Sequence, residues 1–293
     1  MEFAAFSLVI AGAFMHSVWN FLAKKSSGGL PFVWLYGVVS LVLALPVIAI
    51  FWFRNPQPLS GVAIAAAIAS AVLHVVYSLV LQQGYRVSDF SIVYPLARGT
   101  GPLFSVLGAV LILHETPSAT GWLGIVLILC GVFLVSGGMK IFAGPRNPDL
   151  QRGVSWGVLT GVLISCYTLV DGWTIRSLGA SPVLFYGIGL LFRTLLIAPF
   201  ALRNTDQLRL QWHQHKRNII AVGILSPCAY VLVLFALTMA PLSYVAPARE
   251  LSMMIGAYLG AKLLKEQDLR FRSAGTVLMG LGVLALGWVT RGS

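Results

Sequence analysis

Charge is what this chain has least of. Only 10% of its 293 residues are Asp, Glu, Lys or Arg, against about a quarter in ordinary soluble domains. Acid is the scarcer sign, with 9 carboxylates against 20 Lys and Arg. A soluble fold of this length needs polar surface to cover its core, so a cytosolic enzyme and a disordered protein are both excluded. Cysteine is sparse as well. Cys130, Cys166 and Cys228 lie apart inside apolar stretches with no Cys-x-x-Cys, which leaves no disulfide framework and reads as small core residues. No Gly-x4-Gly-Lys-[Ser/Thr] loop is present, nor a Gly-x-Gly-x-x-Gly behind a strand, so the chain has no machinery to hydrolyse ATP. No Ser/His/Asp constellation is recognisable, and no catalytic residue is assigned. His213 and His215 form a His-x-His pair without a carboxylate or thiolate cluster around it. The stretch 203–217 therefore reads as a solvated basic loop, and no metal and no cofactor are expected.

What the chain does have is apolar length. Hydrophobic residues make up 58% and glycine adds 30 positions. Apolar windows fall near 3–23, 32–53, 61–82, 88–112, 119–138, 153–173, 183–202, 218–238, 243–264 and 271–290. Each is long enough to cross a bilayer once, at about 20 residues per span. The composition predicts an all-α integral membrane protein with ten transmembrane helices. The longest polar stretch, residues 140–152, carries Pro145 and Pro148 near the midpoint. It reads as a linker between five-helix halves at 1–139 and 153–290.

The two halves repeat. A shift of 151 carries Arg98 onto Arg249, Leu113 onto Leu264, Glu115 onto Glu266, Gly124 onto Gly275 and Gly131 onto Gly282. A shift of 152 carries Val93 onto Val245, Pro95 onto Pro247, Gly108 onto Gly260 and Ala109 onto Ala261. Apolar helices align easily by chance, but matched Pro, Arg, Glu and a paired Gly-x6-Gly do not. An odd number of helices per repeat makes the second half insert upside down, an architecture that recurs among transporters. Charge supplies a separate test. The odd-numbered loops hold fourteen Lys and Arg and the even-numbered loops only Arg54 and Arg176. The positive-inside rule then puts the odd loops in the cytoplasm and both termini outside. In a soluble protein the net charge of +11 would suggest nucleic acid; here it is spent on orientation, and no nucleic acid is expected.

The half that contains Pro95, Glu115 and Gly124-x6-Gly131, repeated as Pro247, Glu266 and Gly275-x6-Gly282, resembles the EamA-type transporters of the drug/metabolite transporter superfamily. The likeness covers essentially the whole chain, one repeat per half. Within that group the chain is most similar to the bacterial aromatic amino acid exporters. The resemblance implies ten helices, a central cavity between the repeats, and alternating-access export of small metabolites, typically neutral or aromatic amino acids, across a bacterial inner membrane. The partners it implies are that substrate and the lipid bilayer, and a monomer is the expected state. The rival is a proton-coupled multidrug exporter, as in the small four-helix members of the superfamily. Those carry a glutamate embedded in the first helix, where this chain has only Glu2 at the edge.

Ionisable and aromatic groups inside the spans are the candidate site, because each is costly unless it faces a cavity or a partner. His16 and Trp19 share a face of the first helix with Asn20. His74 and Tyr77 share one on the third. Tyr94, Pro95 and Arg98 follow one another on the fourth, and Tyr167 and Asp171 lie on the sixth. Tyr230 follows Ser226-Pro227 on the eighth; Tyr244, Pro247, Arg249 and Glu250 belong to the ninth. The competing reading of a lone His is a hydrogen bond to a neighbouring helix. Arg249 and Glu250 stand about 100° apart on a regular helix, so only one of them faces a given spot. Pro95 and Pro247 each remove a backbone donor in mid-helix, which predicts two matched kinks. Gly124, Gly131, Gly275 and Gly282 read as the close contact between the halves.

Overall fold

A computed structural model of the chain describes residues 3–26, 29–54, 59–88, 90–136, 148–254 and 269–288. Among the described residues all regular structure is helical. The first half contributes α1 (Phe3–Ser26), α2 (Gly29–Arg54), α3 (Gly61–Val87), α4 (Phe90–Leu111) and α5 (Ala119–Val135). The second contributes α6 (Pro148–Arg176), α7 (Pro182–Ala201), α8 (Thr205–Met239), α9 (Leu242–Ala248) and α10 (Leu269–Trp288). Six of them, α1, α2, α3, α6, α7 and α8, contain stretches long and apolar enough to cross a bilayer. Large apolar side chains such as Phe53, Leu111 and Leu284 are exposed. That is the surface a lipid-facing belt requires and a soluble monomer avoids. Trp52 and Trp288, at helix ends, are exposed as well, where indole rings anchor at the headgroup level.

Helix starts follow from capping chemistry. Ser60 accepts a hydrogen bond from the Ala63 amide at 3.1 Å and opens α3, and Ser118 accepts one from Gly121 at 3.1 Å and opens α5. The same chemistry moves two expected boundaries. Pro148 begins α6 five residues inside the expected linker, because proline at the first helical position gives up no bond. The expected basic loop 203–217 is mostly helix. Asn204 accepts from the Gln207 amide at 3.1 Å and starts α8, which kinks at His215 (φ −126°, ψ 16°) before entering its apolar stretch. Cys130 and Cys228 are exposed, so the expectation that all three cysteines sit in the core fails for these two, which occupy outward helix faces. The rest of the linker (140–147), Glu2, and the repeat positions Gly260, Ala261, Leu264 and Glu266 lie outside the described residues.

The principal helix contacts run between the halves rather than within them. Helix α5 packs on α10, α4 on α6, α1 on α8, α3 on α6 and α7, and α2 on α7 and α8. Exchanging each helix for its counterpart five places along leaves the pairs α5–α10 and α2–α7 unchanged. The same exchange turns α1–α8 into α6–α3, and α2–α8 into α7–α3. The buried core accordingly mixes residues of both halves, such as Val9, Ile125 and Ile128 with Leu234, Met279 and Leu286.

At the α5–α10 crossing the four glycines interlock. A Cβ on Gly131 would lie 2.6 Å from the Gly275 carbonyl oxygen, and one on Gly275 would lie 2.7 Å from that of Gly131. Gly124 and Gly282 repeat the arrangement at 2.9 and 2.7 Å. Backbones this close leave no room for any side chain, which is why small residues are needed at this spacing.

Candidate functional site

Between the halves lies a cavity of about 290 Å³, near the lower end of the range for small-molecule sites. Ten of the twelve ionisable or aromatic candidates line it, all but Asp171 and Tyr244. His16 and Trp19 reach it from α1, His74 and Tyr77 from α3, and Tyr94 and Arg98 from α4. Tyr167 comes from α6, Tyr230 from α8, and Arg249 and Glu250 from the turn after α9. Asn20, the third member of the α1 face, lines it too, with its amide donating to the His16 carbonyl at 2.7 Å.

The rings form one connected wall. His74 stacks on Tyr167 at 3.9 Å between centroids, and Tyr77 and Tyr230 meet His74 edge-on at 5.9 and 5.7 Å. Tyr186 joins Tyr230 at 5.7 Å. His74 Nδ1 is 2.8 Å from the Ser70 carbonyl, so Nδ1 carries the proton and donates. That bond holds the ring plane against Tyr167. His16 and Trp19 form a second aromatic pair, with centroids 4.9 Å apart.

Charge is arranged around these rings. The Arg98 guanidinium lies 3.5 Å from Glu250 Oε2 and 5.8 Å from the Tyr94 ring centroid. Glu250 Oε2 accepts no hydrogen bond from any described residue, so this contact is an ion pair without directed bonding. The Arg249 guanidinium lies over the Tyr230 ring at 5.4 Å. The Tyr230 hydroxyl donates to Asp171 Oδ2, and Asp171 is buried behind the ring.

Arg249 and Glu250 both face the cavity, contrary to the expectation that only one could. The helix is interrupted there. The Glu250 amide bonds the Pro247 carbonyl at 3.0 Å and the Met253 amide bonds Glu250 at 2.8 Å, a tighter i to i+3 pattern that breaks the regular 100° step. The expected pair of matched kinks is likewise unequal. Helix α4 runs through Pro95 and Pro102 without interruption, while its counterpart stops at Ala248, just after Pro247.

Tyr244 lies away from the cavity. Its hydroxyl accepts from the Ser118 amide at 3.0 Å, and it rests on Gly121, where a Cβ would come within 2.5 Å of the phenol oxygen. It seals the start of α5 against α9. Beside it, Glu115 accepts from the Leu242 and Ser243 amides, each at 2.8 Å, and stands 3.8 Å from Arg176. The chain reaches that position through His114, held at φ 55°.

Several residues that line the cavity were not among the sequence candidates, among them Arg193 and Tyr186 on α7, Tyr36 on α2 and Tyr85 on α3. Arg193 carried a signal, since it is a lone guanidinium near the middle of an apolar window. Tyr36 and Tyr186 carried none beyond being aromatic.

A family model for EamA-like transporters matches residues 3–137 and 151–288. An uncharacterized protein of Methanocaldococcus jannaschii is 34% identical over 126 residues, covering 42% of this chain and 90% of its own length. That relative is thus similar in size to one matched segment. A protein of known crystal structure superposes with a TM-score of 0.72 over 99% of both chains at 14% identity, which is a likeness of fold.

Proposed function

The chain belongs to the EamA-like transporter family, and from that premise we propose that it exports neutral and aromatic amino acids through the central cavity by alternating access. That it is a multi-pass membrane transporter of small solutes follows from the family and the apolar spans. The proposed working form has ten spans in two inverted five-helix repeats, in a bacterial inner membrane, with both termini outside. The exchange symmetry of the helix contacts supports the repeat, as does the relative that corresponds in size to one segment.

The carrying observation for the substrate is the pairing of opposite charges with an aromatic wall in one cavity. A guanidinium complements the invariant carboxylate of an amino acid. Glu250, which lines the cavity 3.5 Å from Arg98, supplies the negative charge for the ammonium. The rings of His74, Tyr77, Tyr167 and Tyr230 take the side chain by apolar and stacking contact, which tolerates differences in size. Export of lipophilic cations is disfavoured, because Arg98, Arg193 and Arg249 all face the same space. The test is efflux from proteoliposomes loaded with a panel of labelled amino acids and one lipophilic cation. Efflux of several amino acids, neutral and aromatic, supports the reading; efflux of the cation alone overturns it.

A further inference from the structure

Three guanidiniums face the cavity, and only one has a carboxylate within ion-pair distance among the described residues. Arg98 takes Glu250. Arg193 and Arg249 instead lie over the faces of Tyr186 and Tyr230, at 5.5 and 5.4 Å, two rings that are themselves neighbours at 5.7 Å. The remaining nearby carboxylate, Asp171, is turned behind Tyr230 and holds its hydroxyl. Among the described residues the wall carries three positive groups against Glu250, and counting Asp171 still leaves one positive charge without a carboxylate. A half-buried guanidinium over a ring recovers part of its lost hydration there, and Arg193 adds a side-chain hydrogen bond with Tyr186. An anion entering the cavity would supply more of it.

We infer that what enters is a carboxylate with an apolar or aromatic body, that Arg193 is its anchor, and that an ammonium group on it is dispensable. This rests on the transport reading above and sharpens its substrate class. A zwitterion brings no net charge and leaves the excess uncompensated, whereas an organic anion cancels it. Arg193 is the better placed of the two guanidiniums. It sits mid-way along α7, a regular helix rather than a turn, and its neighbour Thr194 is fixed by the Trp34 indole, which donates to the Thr194 carbonyl at 3.2 Å. A guanidinium on a fixed backbone can meet a carboxylate with two parallel hydrogen bonds, while the ring strip beside it takes the apolar body.

The experiment uses three probes that share a phenyl ring and differ in charge: phenylalanine, phenylpyruvate and the permanent cation phenyltrimethylammonium. Each is loaded into proteoliposomes carrying the full chain, its Arg193→Gln variant or its Arg193→Lys variant, and the melting temperature of each protein is recorded with and without probe. The wild type is expected to release phenylpyruvate at least as fast as phenylalanine, and the cation no faster than empty vesicles. Arg193→Gln is expected to slow both carboxylates at least tenfold, and Arg193→Lys to restore part of the rate. Competition of unlabelled phenylpyruvate against phenylalanine efflux in the wild type gives a readout that does not depend on a variant folding. Phenylalanine moving while phenylpyruvate neither moves nor competes overturns the inference and leaves amino acid export standing. So does a folded Arg193→Gln that moves both carboxylates at the parental rate. A wild type that neither moves nor is stabilised by any of the three overturns the transport reading and the inference together.

Discussion

The Arg98 guanidinium stands 3.5 Å from the Glu250 carboxylate, joining α4 of the first half to the turn after α9 in the second. The Glu250 side chain is 9% exposed and that of Arg98 26%, so the glutamate depends on the pair more than the arginine does. Removing one partner leaves the other facing a poorly solvated wall. Arg98→Gln and Glu250→Gln are each expected to cost about 1–3 kcal/mol of stability. The double variant should lose less than the sum, with a coupling of about 0.5–3 kcal/mol. Thermal unfolding of the four proteins in one detergent measures it, and strict additivity would mean that the two side chains do not sense each other.

The interlocked glycines give a second expectation. Gly131→Ala puts a methyl group 2.6 Å from the Gly275 carbonyl oxygen. The helices must part, at a cost of about 1–3 kcal/mol. Gly280→Ala, on α10 with nothing within 4 Å of its Cβ position, is the control. It should leave the melting temperature unchanged or raise it, since alanine favours a helix by about 1 kcal/mol over glycine. Equal melting temperatures for the two variants would disprove the close crossing.

Glu115 caps α9 from a distant part of the chain, through two amides at 2.8 Å. Glu115→Ala strands both donors and leaves Arg176 without that carboxylate, with an expected loss of about 1–2 kcal/mol. Glu115→Gln, which keeps one carbonyl acceptor, should lose less. Hydrogen exchange at residues 242–243 should quicken in the alanine variant, and unchanged protection there would rule out the cap.

His74 supplies the tightest ring contact of the cavity, 3.9 Å from Tyr167. An aromatic pair contributes about 0.5–1.5 kcal/mol beyond burial. His74→Ala and Tyr77→Ala are therefore expected to cut efflux of several amino acids together, by about two- to tenfold, with membrane insertion intact. Parental efflux of every amino acid by both variants would reduce these side chains to packing.

The orientation is tested by reporter fusions at residues 145 and 290. The fourteen-to-two distribution of Lys and Arg between odd and even loops predicts a cytoplasmic reporter active at 145 and a periplasmic one active at 290. The reverse pattern refutes the orientation.

Composition by itself determined the class. Too little polar surface for a soluble core and ten apolar windows leave few alternatives to a helical membrane protein, and that argument needs no coordinates. Rare residues at matched offsets, such as Arg98 with Arg249 and Gly124 with Gly275, made the two halves visible, because such coincidences are improbable where Leu and Val matches are not. Single-helix periodicity also picked out His16 with Trp19 and His74 with Tyr77, since residues three or four apart share a face whatever that face meets. What that face meets is a property of the partner helix, and there the tertiary structure decided. Tyr94 and Tyr244 look alike as aromatics one and three residues ahead of a matched proline, yet one lines the cavity and the other seals α5 against α9. Arg249 and Glu250 share the cavity only because the helix stops at Ala248, a break that the intact run through Pro95 did not foretell. Arg193 became a site residue when α7 packed against α2 and α3 and turned its guanidinium inward over Tyr186. Local pattern follows from covalent geometry and is written in the sequence; which faces meet is set by packing between elements far apart in the chain, and only the folded structure records it.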